Sequence, residues 1–163
     1  MDIIKTSLAE LVEVLYLLRV CVQDMNSRGW FCGDLQNQLM KNDIEKDSIF
    51  ICRENEVTIG LIKLTTEEIT EHKDITWSCS SEKSLIVNKL LVHPIWKNKG
   101  AEKVLLAFAE KYAREQEFTS LRLEVFSENH DIVTLYGQLN YKRLGEIRLR
   151  YQQVPYFCFE KVL

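Results

Sequence analysis

The chain predicts a mixed α/β fold, with strands and helices alternating around one sheet. Three observations carry that expectation. Apolar runs of strand length alternate with longer stretches whose apolar residues recur at helical spacing. The segment SIFICRENEVTIGLIKL forms a strand, a polar turn and a returning strand. The 163 residues contain no repeat, low-complexity tract or linker, so one domain spanning 1–163 is expected.

Element by element, Asp2-Ile3-Ile4-Lys5 makes a short first strand. Thr6 or Ser7 caps a helix that runs to about Met25, with Leu8, Leu11, Val12, Leu15 and Leu18 on one face. Ser27-Arg28-Gly29 ends it, and a second helix covers Asp34 to Lys46. In the hairpin, Ile49, Phe50 and Ile51 form one strand, Glu54-Asn55-Glu56 turns, and Val57 to Leu64 returns. Residues 67–84 are polar and predict a loop. LIVNKLLV is a nearly unbroken apolar strand that Pro94 ends. Ala101 to Gln116 repeats Val104, Leu105, Phe108 and Tyr112 at helical period. SLRLEVF follows as a strand, with Arg122, Glu124 and Phe126 on the side opposite Leu121, Leu123 and Val125. Asn129 or Ser127 caps a last helix carrying Ile132, Leu135, Tyr136 and Leu139, and YKRLGEIRLR with YFCFEKVL closes the chain as two strands. Strand, helix, strand in that order predicts 90–92 and 121–126 as parallel neighbours in one sheet, joined by a right-handed crossover.

Composition bounds the function. Apolar residues make up 46% and charged residues 28%, and the net charge is −3. That balance argues against a nucleic-acid or membrane-surface binder. The early apolar stretch LAELVEVLYLLRVCV is interrupted by Glu10, Glu13 and Arg19, so it reads as an amphipathic helix and not a membrane span or targeting segment. The five cysteines form no CxxC pair and have no zinc spacing with histidine, so no metal is expected. Reduced thiols, mostly buried, place the chain in the cytoplasm.

The segment HPIWKNKGAEKVLL sets Lys97, Lys99, Gly100 and Lys103 around the start of a helix. A helix start exposes N–H groups and partial positive charge, and Gly100 lets the backbone come close to a ligand. Together they predict an anion site, most often one for phosphate. Lysines at a turn before a helix are also commonly just a solvated surface, and one glycine is a weak signal.

Strand, VHP, glycine turn and long helix in succession resemble motif A of the GNAT N-acetyltransferase superfamily, whose Q/R-x-x-G-x-G/A pattern cradles the pyrophosphate of acetyl-CoA. The matching residues here are Lys97, Asn98, Lys99, Gly100, Ala101 and Glu102. NHDIVTLYGQLNYKRLGE resembles the family's motif B, with Asn129 and Tyr136 at the family's spacing, and YFCFEKVL resembles its last strand. The resemblance implies a mostly antiparallel mixed sheet with helices on both faces. It also implies an enzyme that moves an acetyl group from acetyl-CoA to a primary amine. The acceptor is an amine-bearing small molecule or a protein N-terminus or lysine, and homodimers are common in the family.

The resemblance also assigns roles. The N–H groups of Leu90, Leu91 and Val92 would stabilise the thioester oxygen, though their side chains read only as a buried strand. Tyr136 would protonate the leaving thiolate, against a reading as a core residue. Glu124 would serve as general base, or else pair with Arg122. Asn129 would contact the cofactor, cap the helix, or do both. The acceptor pocket would involve Trp30, Phe31, Tyr151 and Gln152. Two departures stand out. Lys97 replaces Gln or Arg but keeps a cation. Glu102 replaces a small residue, and a carboxylate near pyrophosphate repels it by roughly 1–3 kcal/mol per pair, a weakening of up to about a hundredfold. The competing function is therefore a non-catalytic GNAT-like module that binds CoA weakly or not at all and acts through a partner.

Overall fold

The structure, a computed structural model, describes residues 1–29, 37–46, 48–149 and 154–163, with the side chains of 37–40 outside that description. Seven strands form one sheet among the described residues: β1 (Asp2–Lys5), β2 (Ile49–Glu54), β3 (Val57–Thr65), β4 (Ser84–Val92), β5 (Ser120–Phe126), β6 (Lys142–Ile147) and β7 (Tyr156–Val162). Their order is β1-β2-β3-β4-β5-β7-β6. The helices are α1 (Leu11–Ser27), α2 (Asn37–Glu45), α3 (Ala101–Glu115) and α4 (His130–Gln138). The chain divides into two compact units, Met1–Leu64 with Lys89–Phe108 and Thr65–Asn88 with Ala109–Leu163.

In the first unit, Ser7 and Glu10 form a capping box. The Ser7 hydroxyl accepts from Ala9 N–H at 3.2 Å, and Glu10 accepts from Ser7 N–H at 2.9 Å. The box closes a 3₁₀ turn over Leu8–Glu10 before α1 begins. This turn changes the expected inner face. A 3₁₀ turn advances three residues per revolution and the α-helix 3.6, so Leu8 falls out of phase with the stripe that follows. Val14, Leu17, Leu18 and Cys21 are the buried face, while Leu8 and Val12 are exposed. That face packs with Ile44, Ile49, Ile51 and Leu61. The β2–β3 hairpin turns at Asn55-Glu56, both with positive φ (48° and 64°), the left-handed pair that suits a tight hairpin. Gly60 lies beneath β4, where a Cβ would come within 3.0 Å of the Leu91 carbonyl oxygen.

In the second unit, β4 and β5 pair in parallel from Ser84↔Ser120 to Val87↔Leu123. Parallel neighbours joined through α3 are as expected, but the pairing uses the start of β4 and not residues 90–92. β5 then pairs antiparallel with β7 along its whole length, and β6 pairs with β7. Both faces of β5 are covered. Leu121 and Leu123 are buried as expected, and so is Arg122, at 1% exposure.

Arg122 explains how a polar segment can cover a sheet. It lies directly across from Glu160 of β7, and its Nε donates to Glu160 at 3.2 Å. The other guanidinium nitrogens donate to Glu68, to the Ser81 hydroxyl and to the Cys79 carbonyl, and the group lies 4.4 Å from the centre of the Trp77 ring. Glu160 in turn accepts from the N–H groups of Ser78 and Cys79 and from the Ser120 hydroxyl. A segment that sequence predicted as a loop is therefore seated through one buried ion pair and carries short 3₁₀ turns at Thr70–Asp74 and Ser81–Lys83. At its middle, Ile75 lies against Gly145 of β6, where a Cβ would come within 2.6 Å of its methyl carbon.

Breaking a buried pair from one side leaves the other charge unmatched, at a cost of roughly 3–5 kcal/mol. Arg122→Met is expected to lose about that much in urea unfolding. Arg122→Met combined with Glu160→Met should regain a substantial part of it. Burial by itself pushes the Glu160 carboxyl up, but hydrogen bonds from Ser78, Arg122 and Ser120 outweigh it and hold the group below its ordinary value of 4.5. Its contribution is therefore complete above pH 4.5 and is lost as pH falls through the lower folded value. The acid limb of stability should be shallower in Glu160→Gln than in the parent chain.

Candidate functional site

The turn before α3 is built by backbone geometry. His93 N–H donates to the Ile59 carbonyl at 2.8 Å, which fixes where β4 ends. Pro94 sits at the first position of a short 3₁₀ turn, Pro94–Trp96. Asn98 and Gly100 then take positive φ, 60° and 93°. Nothing lies within 4 Å of a Cβ placed on Gly100, so left-handed backbone, not crowding, is what calls for glycine here. The Gly100 carbonyl accepts from Val104 N–H at 3.1 Å as the first bond of α3. The N–H groups of Ala101, Glu102 and Lys103 precede that bond and have no acceptor within the helix. A turn with two left-handed residues running into exposed helical N–H groups is a concave donor surface suited to phosphate oxygens. The residues present fit a pyrophosphate.

The side chains divide differently from the sequence expectation. Lys97 Nζ is 2.6 Å from Asp24 of α1, so its charge is matched within the protein. Burial pushes the Asp24 carboxyl up, but Lys97 and Arg28 outweigh it and leave the group below its usual value. Lys99 lies 5.2 Å from the centre of the Trp96 ring. Glu102, the departure from the family pattern, is buried at 6% exposure. It shares its helix side with Leu105, Leu106 and Ala109, all at 0%. Leu90, Leu91 and Val92 form the end of β4, as expected, with Val92 buried and its carbonyl accepting from the Cys21 thiol at 3.4 Å. Burial raises that thiol to about 12.

Glu124, Asn129 and Tyr136 belong to the second unit. Glu124 does not pair with Arg122, whose donors are taken as described. Its Oε2 is 2.8 Å from His72 Nε2. His72, which the sequence placed in a polar loop without a role, is buried at 6% exposure and packs edge-on to Trp77 with ring centres 5.5 Å apart. The signal that could have found it was weak: one histidine in a segment whose seating depends on a partner more than forty residues away in the chain. Asn129 occupies the N-cap position of α4 but makes no side-chain cap hydrogen bond. Tyr136 is the buried residue of α4, at 3% exposure, with its ring against Tyr141 (5.7 Å between centres) and Phe159 (5.4 Å). Trp30, Phe31, Tyr151 and Gln152 lie outside the described residues.

Among the described residues no group of three His, Cys, Asp or Glu side chains is placed to hold a metal ion, and no helix is long and apolar enough to cross a membrane. Of the described cysteines, Cys21, Cys52 and Cys158 are buried free thiols and Cys79 is a partly exposed one. Burial, reinforced by Glu124, raises Cys158 to about 12.

Known proteins place this arrangement. Solved structures with the same fold include the paia N-acetyltransferase of Thermoplasma acidophilum in complex with coenzyme A. It is 18% identical with a TM-score of 0.75, over 99% of this chain and 98% of that one. The ribosomal-protein-alanine N-acetyltransferase of Brucella melitensis is 12% identical with a TM-score of 0.77, over 100% of both chains. The yncA protein of Salmonella typhimurium, in a structure with its cofactor acetyl-CoA, is 13% identical with a TM-score of 0.77, over 99% of this chain and 92% of that one. No curated protein matches the chain. The family model described as Acetyltransferase (GNAT) family matches residues 17–141, so with the glycine turn, α3 and α4 inside the matched span the chain belongs to the GNAT acetyltransferase family.

Proposed function

We propose that this protein transfers the acetyl group of acetyl-CoA to a primary amine on a small molecule or on a protein N-terminus or lysine, in the cytoplasm. The observation that carries the reading is the turn at residues 97–102, with left-handed backbone at Asn98 and Gly100 and helical N–H groups left without helical acceptors at the start of α3. Structural neighbours in complex with coenzyme A or acetyl-CoA support the cofactor. The net charge of −3 favours an amine-bearing partner over nucleic acid.

Acetyl-CoA supplies an activated thioester when bound. The protein's share is to hold it, stabilise charge and move protons. N–H groups of residues 98–102 hold the pyrophosphate, with Lys99 and Lys103 adding positive charge and Asn129 a polar contact. N–H groups of Leu90, Leu91 and Val92 stabilise the thioester oxygen as negative charge grows there. Glu124 accepts the proton that an ammonium must lose before it can attack. The Tyr136 hydroxyl gives a proton to sulfur as it leaves, a fair match for a phenol with an ordinary value near 10. The buried ring contacts of Tyr136 keep that hydroxyl in one place.

A second reading, a GNAT-like module with weak CoA binding that acts through a partner, is favoured by the Lys97–Asp24 pair, which withdraws one cation from the loop. The two readings part on simple measurements. As an acetyltransferase, the protein should melt higher with acetyl-CoA present and release free thiol from it in the presence of an acceptor drawn from a panel of amines and short peptides. No shift in melting and no thiol release would select the module. Glu102→Gln should change acetyl-CoA affinity by less than about threefold if burial of the side chain, at 6% exposure, keeps its charge away from phosphate. Calorimetry showing a tightening of tenfold or more would put the carboxylate against the phosphate instead.

Tyr136→Phe keeps the ring and its contacts with Tyr141 and Phe159. Turnover is expected to fall by roughly 10²–10⁴ with acetyl-CoA affinity little changed, and the melting temperature should move little. Wild-type turnover in this variant would remove Tyr136 from the chemistry.

A further inference from the structure

Glu124 is held by a residue that no family motif supplies. His72 comes from the segment between β3 and β4, and its Nε2 lies 2.8 Å from Glu124 Oε2. Against a carboxylate, which only accepts, Nε2 is the donor. Nδ1 is buried and has no hydrogen-bond partner among the described residues. A buried polar atom left unmatched is a cost to the folded state. A leucine of similar size could fill the space beside Trp77 without that cost, so packing does not explain the imidazole. What the imidazole adds is a donor at one position, aimed at one oxygen of Glu124.

The two partners are exposed unequally. The Glu124 side chain is 20% exposed and His72 only 6%. The carboxylate therefore reaches toward solvent while the group behind it is enclosed. Oε2 is occupied by His72, and Oε1 makes no hydrogen bond among the described residues. His72 is itself fixed: its N–H donates to the Ile69 carbonyl at 3.1 Å and its carbonyl accepts from Ile75 N–H at 3.1 Å. The neighbouring Trp77 ring is sandwiched against the Arg122 guanidinium. The buried ion pair that seats this segment thus also sets where the imidazole stands.

We propose that His72 is a positioning residue for acetyl transfer, which orients Glu124 so that Oε1 receives the proton of the incoming amine. The inference rests on the acetyltransferase reading above. An ammonium gives one proton to Glu124, which later passes it to water. The freed amine forms the new C–N bond as the C–S bond breaks. The second amine proton lost on amide formation balances the proton gained by sulfur.

Two polar variants separate position from mere polarity. The side-chain nitrogen of glutamine reaches the place of Nε2, whereas that of asparagine reaches only the place of Nδ1. With acetyl-CoA and whichever amine of the panel releases thiol fastest from the parent protein, His72→Gln should keep kcat within about fivefold. His72→Asn should lower kcat by about 10- to 100-fold, the scale of a misplaced catalytic group, with the KM for acetyl-CoA unchanged. Both variants at the parent rate would show that the contact with Glu124 is structural only and overturn the proposal. So would both failing alike while remaining folded by circular dichroism, since the donor's position would then not be what matters. No thiol release by the parent protein with any amine would overturn the acetyltransferase reading itself, and this inference with it.

Discussion

The ion pair between Arg122 and Glu160 is the constraint on which the second unit depends. Two charges, each almost without solvent contact, sit on neighbouring strands at opposed positions, and neither is tolerable there without the other. Glu160 alone would be a carboxylate in a β-sheet interior. Arg122 alone would leave its Nε donor unmatched in the sheet interior, with Glu68 as its remaining carboxylate. Together they have surplus hydrogen-bonding capacity, and that surplus is spent on the segment between β3 and β4: Glu68, Ser78, Cys79 and Ser81 all bond to one partner or the other. A stretch too polar to form a core cover by hydrophobic burial covers β5 by charge-assisted bonds instead. The seat it forms holds Trp77 and brings His72 to Glu124.

The loop before α3 follows a different logic. Its essential features are backbone features: two left-handed residues, a 3₁₀ turn started by Pro94, and a helix whose first N–H groups stay open. Side-chain charge contributes less than the cluster of lysines suggests. Lys97 is committed to Asp24, and a partly exposed pair of this kind contributes at most about 1 kcal/mol. Its consequence is electrostatic, because a cation matched by a carboxylate presents little net charge to a ligand. The donor geometry at 98–102 does not depend on that cation.

Much of this architecture was legible in the chain. The β2–β3 hairpin, the strand ended by Pro94, the long α3 helix and the closing β6–β7 pair follow from period, punctuation and turn residues, all of which act over a few positions. Errors fell where the phase of a pattern or a distant partner decided. The inner face of α1 was misplaced at two residues: the tightened turn before the helix takes Leu8 out of phase, and Val12, inside the helix, lies on its solvent side. The parallel pairing of β4 fell at Ser84–Val87, because register between strands separated by a helix is set by packing and not by the apolar run itself.

The sequence by itself determined the order of elements, the glycine turn at the head of α3, and the helix that carries Tyr136 after Asn129. These are local or nearly local properties, encoded in spacing along one chain. Only the tertiary structure decided the fate of the charges. It matched Lys97 to Asp24, turned Glu102 to the buried side of α3, gave Arg122 to Glu160 and joined His72 to Glu124. The reason is physical: an ionisable side chain takes its role from the partner and the solvent around it, and both are chosen by residues brought near only when the chain folds.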